Sequence, residues 1–221
     1  EYVLLLEHPE NVNANVAAGE VEIDAVDLWW PHTHGVAALY NASVKIRIAG
    51  VLESASLDLG SVGFRTISLD TSDAGFSLSI NGVPVFCRGA VWTPLDVVTL
   101  RSTASEYDKA IEQACAAGMN MLRIAGTMVY EEDHFFDACN KHGMMVWQDF
   151  MFANMDYPSD DMEFQRVIED EVRQQLKRQQ FAPCLAVLCG NSEVEQQAAM
   201  WGASRDQWRS ELFEDRLPAI C

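Results

Sequence analysis

The chain has 221 residues, 49% of them hydrophobic, which suits one large or two modest domains with a real core. Fifteen basic against 33 acidic residues leave a formal charge of -18, which repels phosphate backbones and anionic lipid and argues against nucleic acid and the membrane surface as partners. No apolar run approaches the length of a membrane span, the first residues carry no basic-then-apolar leader pattern, and a neutral ligand fits this charge best.

From Glu1 to about Asp73 the pattern alternates with period two in short runs bounded by Gly, Pro and Asn. The runs Tyr2–Leu6, Glu20–Asp24, Ala42–Ile48 and Phe64–Leu69 read as half-buried antiparallel strands of a β-sandwich. Trp29 and Trp30 precede Pro31, and paired tryptophans in a sandwich serve core and edge packing more often than a sugar platform. The sequon Asn41-Ala42-Ser43 is a three-residue pattern that recurs by chance and carries little weight. A polar turn around Asp73 marks the expected domain boundary. After it comes Phe76–Ile80 with the hairpin signal Asn81-Gly82.

From Pro84 onward the rhythm becomes strand then helix. A strand at Val85–Gly89 leads through a long loop to a capping box, Thr103 with Glu106, and to a helix whose Tyr107, Ala110, Ile111, Ala114 and Cys115 share one face. A strand at Met121–Ile124 precedes a helix from Glu131 to His142, with Phe135, Phe136 and Cys139 inward. A strand at Met145–Gln148 precedes a helix from Met162 to Gln180, buried along Phe164, Ile168, Val172 and Leu176. Arg173, Lys177 and Arg178 near its end match the helix dipole. The six cysteines (Cys87, Cys115, Cys139, Cys184, Cys189 and Cys221) are spread out and have no close Cys/His pairing. They read as free thiols in a reducing, cytoplasmic-type compartment, with neither a disulfide framework nor a metal site.

The apolar run Leu185–Cys189 is too short for a helix and runs directly into Gly190-Asn191-Ser192-Glu193. The Glu193 carboxylate is thereby placed just past the end of a buried strand, where α/β sheets gather their chemistry. The plainer alternative is a first-turn acid of the next helix, favoured there by the dipole.

Four segments in order carry a resemblance: Val85–Asp96, Met119–Ile124, Val146–Phe152 and Cys189–Glu193. Together they resemble glycoside hydrolase family 2 and, within it, the β-mannosidase-like branch. Upstream, Asp27–Pro31 and Gly63–Ile67 are similar to the family's central domain and its exit into the barrel. The resemblance implies an immunoglobulin-like β-sandwich over residues 1–73, followed by the first half of a (β/α)8 TIM barrel over 74–221. It implies a retaining exo-glycosidase, a β-mannosidase, acting on terminal β-linked sugars with no cofactor. Other family 2 activities, such as β-galactosidase or exo-β-glucosaminidase, and a non-catalytic carbohydrate-binding fragment remain as rivals. Glu193 takes the general acid/base role. The nucleophile is implied to be a Glu at the end of the seventh barrel strand, beyond this chain, so the 221 residues alone are expected to be inactive.

Trp92, Asp96, Arg123, Trp147, Asp149 and Asn191 are implied to gather at the same rim as substrate-binding residues, with Trp201 as an aromatic wall. Each has a plain alternative: Arg123 can simply pair with Asp149, Trp147 can fill the barrel interior, and Trp92 can be loop packing. Glu195 reads as a solvated or salt-bridged surface acid. Two positions depart from the family pattern. Ser192 stands where an Asn usually reaches the sugar's 2-hydroxyl, and Ala125-Gly126-Thr127 replaces a Trp and several glycines after Arg123.

Overall fold

The computed structural model describes residues 21–47 and 54–221. The strand expected at Tyr2–Leu6 lies outside them, as do Glu20 and Ile48 at the ends of two others. Residues 21–24 form no strand. Two antiparallel sheets make up the first part. β1 (Tyr40–Arg47) pairs with β2 (Ser54–Val62), a strand the alternation did not signal, and a bulge lies between Ala42 and Ser43. β3 (Ile67–Asp70), β4 (Ser77–Ile80) and β5 (Val83–Pro84) form the second sheet. Asn81 and Gly82 both take positive φ, 50° and 78°, the turn their pairing predicts. The junction expected near Asp73 falls in the link between β3 and β4, beside a 3-10 turn at Ser72–Ala74.

From here strand and helix alternate. β6 (Gly89–Trp92), β7 (Met121–Ile124), β8 (Met145–Asp149) and β9 (Leu185–Cys189) lie parallel in chain order. Each must begin at the same end of the sheet, so a helix crosses back between neighbours: α1 (Ala104–Ala116), α2 (Asp133–His142) and α3 (Met162–Gln179). The expected capping box closes the start of α1, the Thr103 hydroxyl accepting from Glu106 N–H at 3.3 Å and the Glu106 carboxylate from Thr103 N–H at 2.8 Å. The end of α2 stops at Gly143 with φ 70°.

The strand expected at Phe64–Leu69 lies at Ile67–Asp70, and two other boundaries differ from expectation for a physical reason. The first parallel strand lies at Gly89–Trp92 instead of Val85–Gly89, because Val85 N–H bonds back to the Leu78 carbonyl at 2.8 Å and completes the preceding hairpin. Gly89 then runs so close to β7 that a Cβ there would overlap the Met121 carbonyl. α2 starts at Asp133 instead of Glu131. The Glu131 carboxylate is buried, accepting from Trp92 Nε1 at 2.7 Å and the Tyr107 hydroxyl at 2.6 Å. Two interior donors need an acceptor more than the helix needs two further residues.

One core lies between the sheet and α1/α2, built from Ile111, Ile124, Phe135, Met145 and Val146. Trp29 joins it fully buried, donating its indole N–H to the Asn140 carbonyl at 2.8 Å, and so ties the first part of the chain to α2. A second core joins Phe150 and Phe152 after β8 to Ile168 and Val172 of α3 and to Leu212, Phe213 and Leu217 near the end of the chain. After β9, α4 (Val194–Met200) is the first of several short helical turns.

Candidate functional site at the carboxyl ends of the parallel strands

Parallel register brings the carboxyl ends of β7, β8 and β9 side by side, pairing Arg123 with Trp147 and Asp149 with Cys189. Asp149 is fully buried and is surrounded by donors. Arg123 gives it Nη2 at 2.6 Å and Nε at 3.3 Å, Trp147 gives its indole N–H at 2.9 Å, and Gly126 gives its backbone N–H at 3.3 Å. The Arg123 guanidinium also lies 5.6 Å from the centre of the Trp147 ring. The hydrogen bond to Asp149 raises the Arg123 pKa against the opposing effect of burial, and the charges of Asp149 and Glu193 add to the rise. Arg123 therefore stays charged, and Glu193 lies within its electrostatic reach. Removing either partner of such a pair leaves an uncompensated charge, which costs about 3–5 kcal/mol when buried.

The turn after β9 is anchored on both sides of Glu193. Ser192, itself buried, donates its N–H to the Phe152 carbonyl at 2.8 Å, accepts from Asn154 N–H at 3.2 Å, and takes Arg123 Nη2 on its hydroxyl at 3.3 Å. Asn191 accepts the Val194 N–H on its side-chain oxygen at 3.1 Å, which satisfies one of the open donors of α4. Glu193 between them has φ 63° and ψ 24° and an exposed side chain. A non-glycine residue in this left-handed region costs about 1–3 kcal/mol, and such strain gathers at functional sites. Among the described residues nothing hydrogen-bonds the Glu193 carboxylate, so the backbone alone sets where this side chain is rooted.

Glu193, Asn191, Arg123, Trp147 and Asp149 are thus brought together; the other three expected residues are not in this cluster. Trp92 is buried in the core, its ring 4.9 Å from that of Phe135 and its N–H on Glu131. Asp96 folds back on its own loop, accepting from Val98 N–H at 2.8 Å, Thr99 N–H at 3.1 Å and the Thr99 hydroxyl at 2.8 Å, and these donors lower its pKa, Val98 most. Trp201 is 90% exposed just past α4. One ring contact was not anticipated: Phe76 stacks on Trp147 at 5.6 Å with 24° between the planes.

Glu195 departs from its expected role as a solvated or paired acid. It is half-buried, one carboxylate oxygen is shielded without a partner, and it makes no ion pair among the described residues. Its place in the first turn of α4 offsets part of the cost of burying that charge.

Two contributors went unassigned by sequence reasoning. Gly126 lets the chain after β7 approach the Phe150 and Phe152 carbonyls, which a Cβ would strike, and so delivers its N–H to Asp149. A glycine directly after a strand is the signal that marks such an approach. The Ser192 hydroxyl was visible only as a departure from a family pattern. An open cavity of about 900 Å³ lies elsewhere, lined by Arg101, Glu106, Tyr130, Glu131 and Arg178, and none of the expected site residues borders it. Among the described residues no group of three or more His, Cys, Asp or Glu is arranged to hold a metal ion.

No family model matches the chain. Bovine β-mannosidase is 36% identical over 176 residues, which cover 77% of this chain and 20% of that protein. β-Mannosidase B of Aspergillus flavus is 36% identical over 211 residues, 92% of this chain and 24% of that protein. The crystal structure of a β-D-mannosidase from Dictyoglomus thermophilum matches with a TM-score of 0.74 at 33% identity, covering 88% of this chain and 24% of that one. An exo-chitosanase from Amycolatopsis orientalis, 20% identical, shares the fold with a TM-score of 0.62. The chain spans about a fifth to a quarter of the length of the curated relatives it matches. Sequence and fold agree in placing it in the β-mannosidase-like branch of glycoside hydrolase family 2.

Proposed function

We propose that the protein carrying this chain is a retaining exo-β-mannosidase and that Glu193 is its general acid/base. The observation that carries this reading is Glu193 itself: a strained, exposed carboxylate at the mouth of a parallel sheet, in a chain whose β-mannosidase relatives align with up to 92% of it. The four parallel strands serve as the first half of a (β/α)8 barrel over residues 74–221, and residues 1–73 as an immunoglobulin-like sandwich. A sugar alkoxide leaves poorly unless protonated, so Glu193 gives its proton to the glycosidic oxygen and later takes one from the attacking water. The second carboxylate, about 5–5.5 Å away in a retaining enzyme, comes from the part of the protein beyond this stretch of the relatives. Arg123, Trp147 and Asn191 line the sugar site, buried Asp149 holds Arg123 and Trp147 in place from beneath, and exposed Trp201 serves as an aromatic wall. Six free cysteines fit a reducing compartment.

Replacing Glu193 by Gln in the full-length protein is expected to cut kcat/KM for unactivated mannosides by about 10² to 10⁴-fold while sparing kcat/KM for activated aryl mannosides, since only the former need a proton to leave, whereas the base-assisted second step slows on both and shows in kcat. Equal losses on both would assign Glu193 a structural role. A panel of nitrophenyl glycosides tests the sugar, and preference for one other than mannose would remove the mannosidase assignment while leaving the family intact.

A further inference from the structure

We propose that Ser192 is the positioning residue of the acid/base: its hydroxyl, held by Arg123, fixes the turn from which Glu193 projects. The inference rests on Glu193 being the acid/base and extends it to what aims that carboxylate. With no hydrogen bond of its own among the described residues, the Glu193 side chain is placed through the backbone that roots it. That backbone sits in a strained left-handed conformation, which persists only where neighbours over-determine it.

The neighbours form a continuous relay. Asp149, fully buried, takes two bonds from Arg123 and one each from Trp147 and Gly126, so its position is settled by three residues. Arg123 Nη2, having bonded Asp149 at 2.6 Å, reaches the Ser192 hydroxyl at 3.3 Å. The Ser192 backbone is fixed in turn by Phe152 and Asn154. The relay therefore runs from β8 through β7 to the residue directly before Glu193. A side chain only 6% exposed has no water to satisfy its hydroxyl, and Arg123 is the partner the structure provides. Loss of the hydroxyl contact unlinks the turn from the Arg123–Asp149 pair; the turn, still held through the Ser192 backbone, shifts enough to carry the carboxylate off the glycosidic oxygen. Proton transfer demands hydrogen-bond reach, so a small displacement weakens the acid step more than sugar binding.

The test uses the full-length protein and two mannosides, one with a dinitrophenyl and one with a phenyl leaving group. Ser192→Ala is expected to lose about 10- to 100-fold in kcat/KM on the phenyl mannoside, mostly in kcat, and under about 3-fold on the dinitrophenyl mannoside. In an Arg123→Lys background the same substitution is expected to add little, because the relay is already cut. Equal losses on the two substrates, or an undiminished effect of Ser192→Ala in the Arg123→Lys background, would overturn the positioning role. Glu193→Gln separates the two readings. If it discriminates between the leaving groups and Ser192→Ala does not, the acid/base assignment stands and the relay falls; if Glu193→Gln itself does not discriminate, the underlying assignment fails.

Discussion

The β1–β2 hairpin and the β6–β9 sheet both contain apolar runs at strand spacing, yet nearly all of the hairpin is exposed while β7 and β8 are largely buried. Their apolar residues differ in cover. Val44 and Ile46 of β1 share a face with Leu57 of β2 and are 42%, 51% and 58% exposed, because no described element packs over them. β7 and β8 are roofed by α1 and α2. A two-stranded hairpin gains little stability alone, whereas a parallel sheet under helices concentrates both stability and chemistry.

The sharpest way to break the covered region is at its tightest approach. Gly89→Val places a branched side chain where even a Cβ would overlap the Met121 carbonyl, so β6 must leave the sheet. A loss of more than about 3 kcal/mol is expected, read as a lower denaturant midpoint, because backbone cannot yield as a flexible side chain does. A near-neutral result would mean that β6 does not pair with β7 in this register.

Glu131→Ala comes next. It strands two interior donors, Trp92 Nε1 and the Tyr107 hydroxyl, and removes a link among β6, α1 and α2. At about 1–3 kcal/mol for each unsatisfied group, the expected cost is roughly 2–6 kcal/mol. Retention of the parent midpoint would show that water replaces the carboxylate.

Legibility followed the same divide. α1 was plain because Thr103 and Glu106 announce its start and Tyr107 with Ile111 its buried face, all within one turn or two of each other. β9 and the turn carrying Glu193 were equally plain, a short apolar run ending in a polar turn. Local pattern could not tell that Val85 belongs to the hairpin, since its deciding partner is the Leu78 carbonyl on another strand. Trp92 was placed at the rim because loops after parallel strands point there, but the acceptor that draws its indole inward lies 39 residues away. Arg123 and Asp149 were matched in advance as a pair of opposite charges on neighbouring strand ends. Their extension to Ser192 depends on where the turn after β9 comes to rest, which no spacing encodes.

The smallest effects are expected in the hairpin, and they carry the comparison furthest. Leu57→Ala removes a side chain already 58% exposed, so stability should change by no more than about 0.5 kcal/mol. Ile111→Ala in α1 removes a fully buried one and should cost about 2–5 kcal/mol, the lost transfer energy plus the cavity left behind. Both substitutions are aliphatic truncations of similar size, and alanine's preference for helix over strand works against the expected order, so a larger cost at Ile111 reports cover. Denaturation midpoints of the two variants, measured side by side in the full-length protein, decide the matter. If Leu57→Ala proves as costly as Ile111→Ala, the Val44–Ile46–Leu57 face is roofed there by another segment of the protein, and the hairpin belongs to a sandwich whose second layer lies outside the described residues.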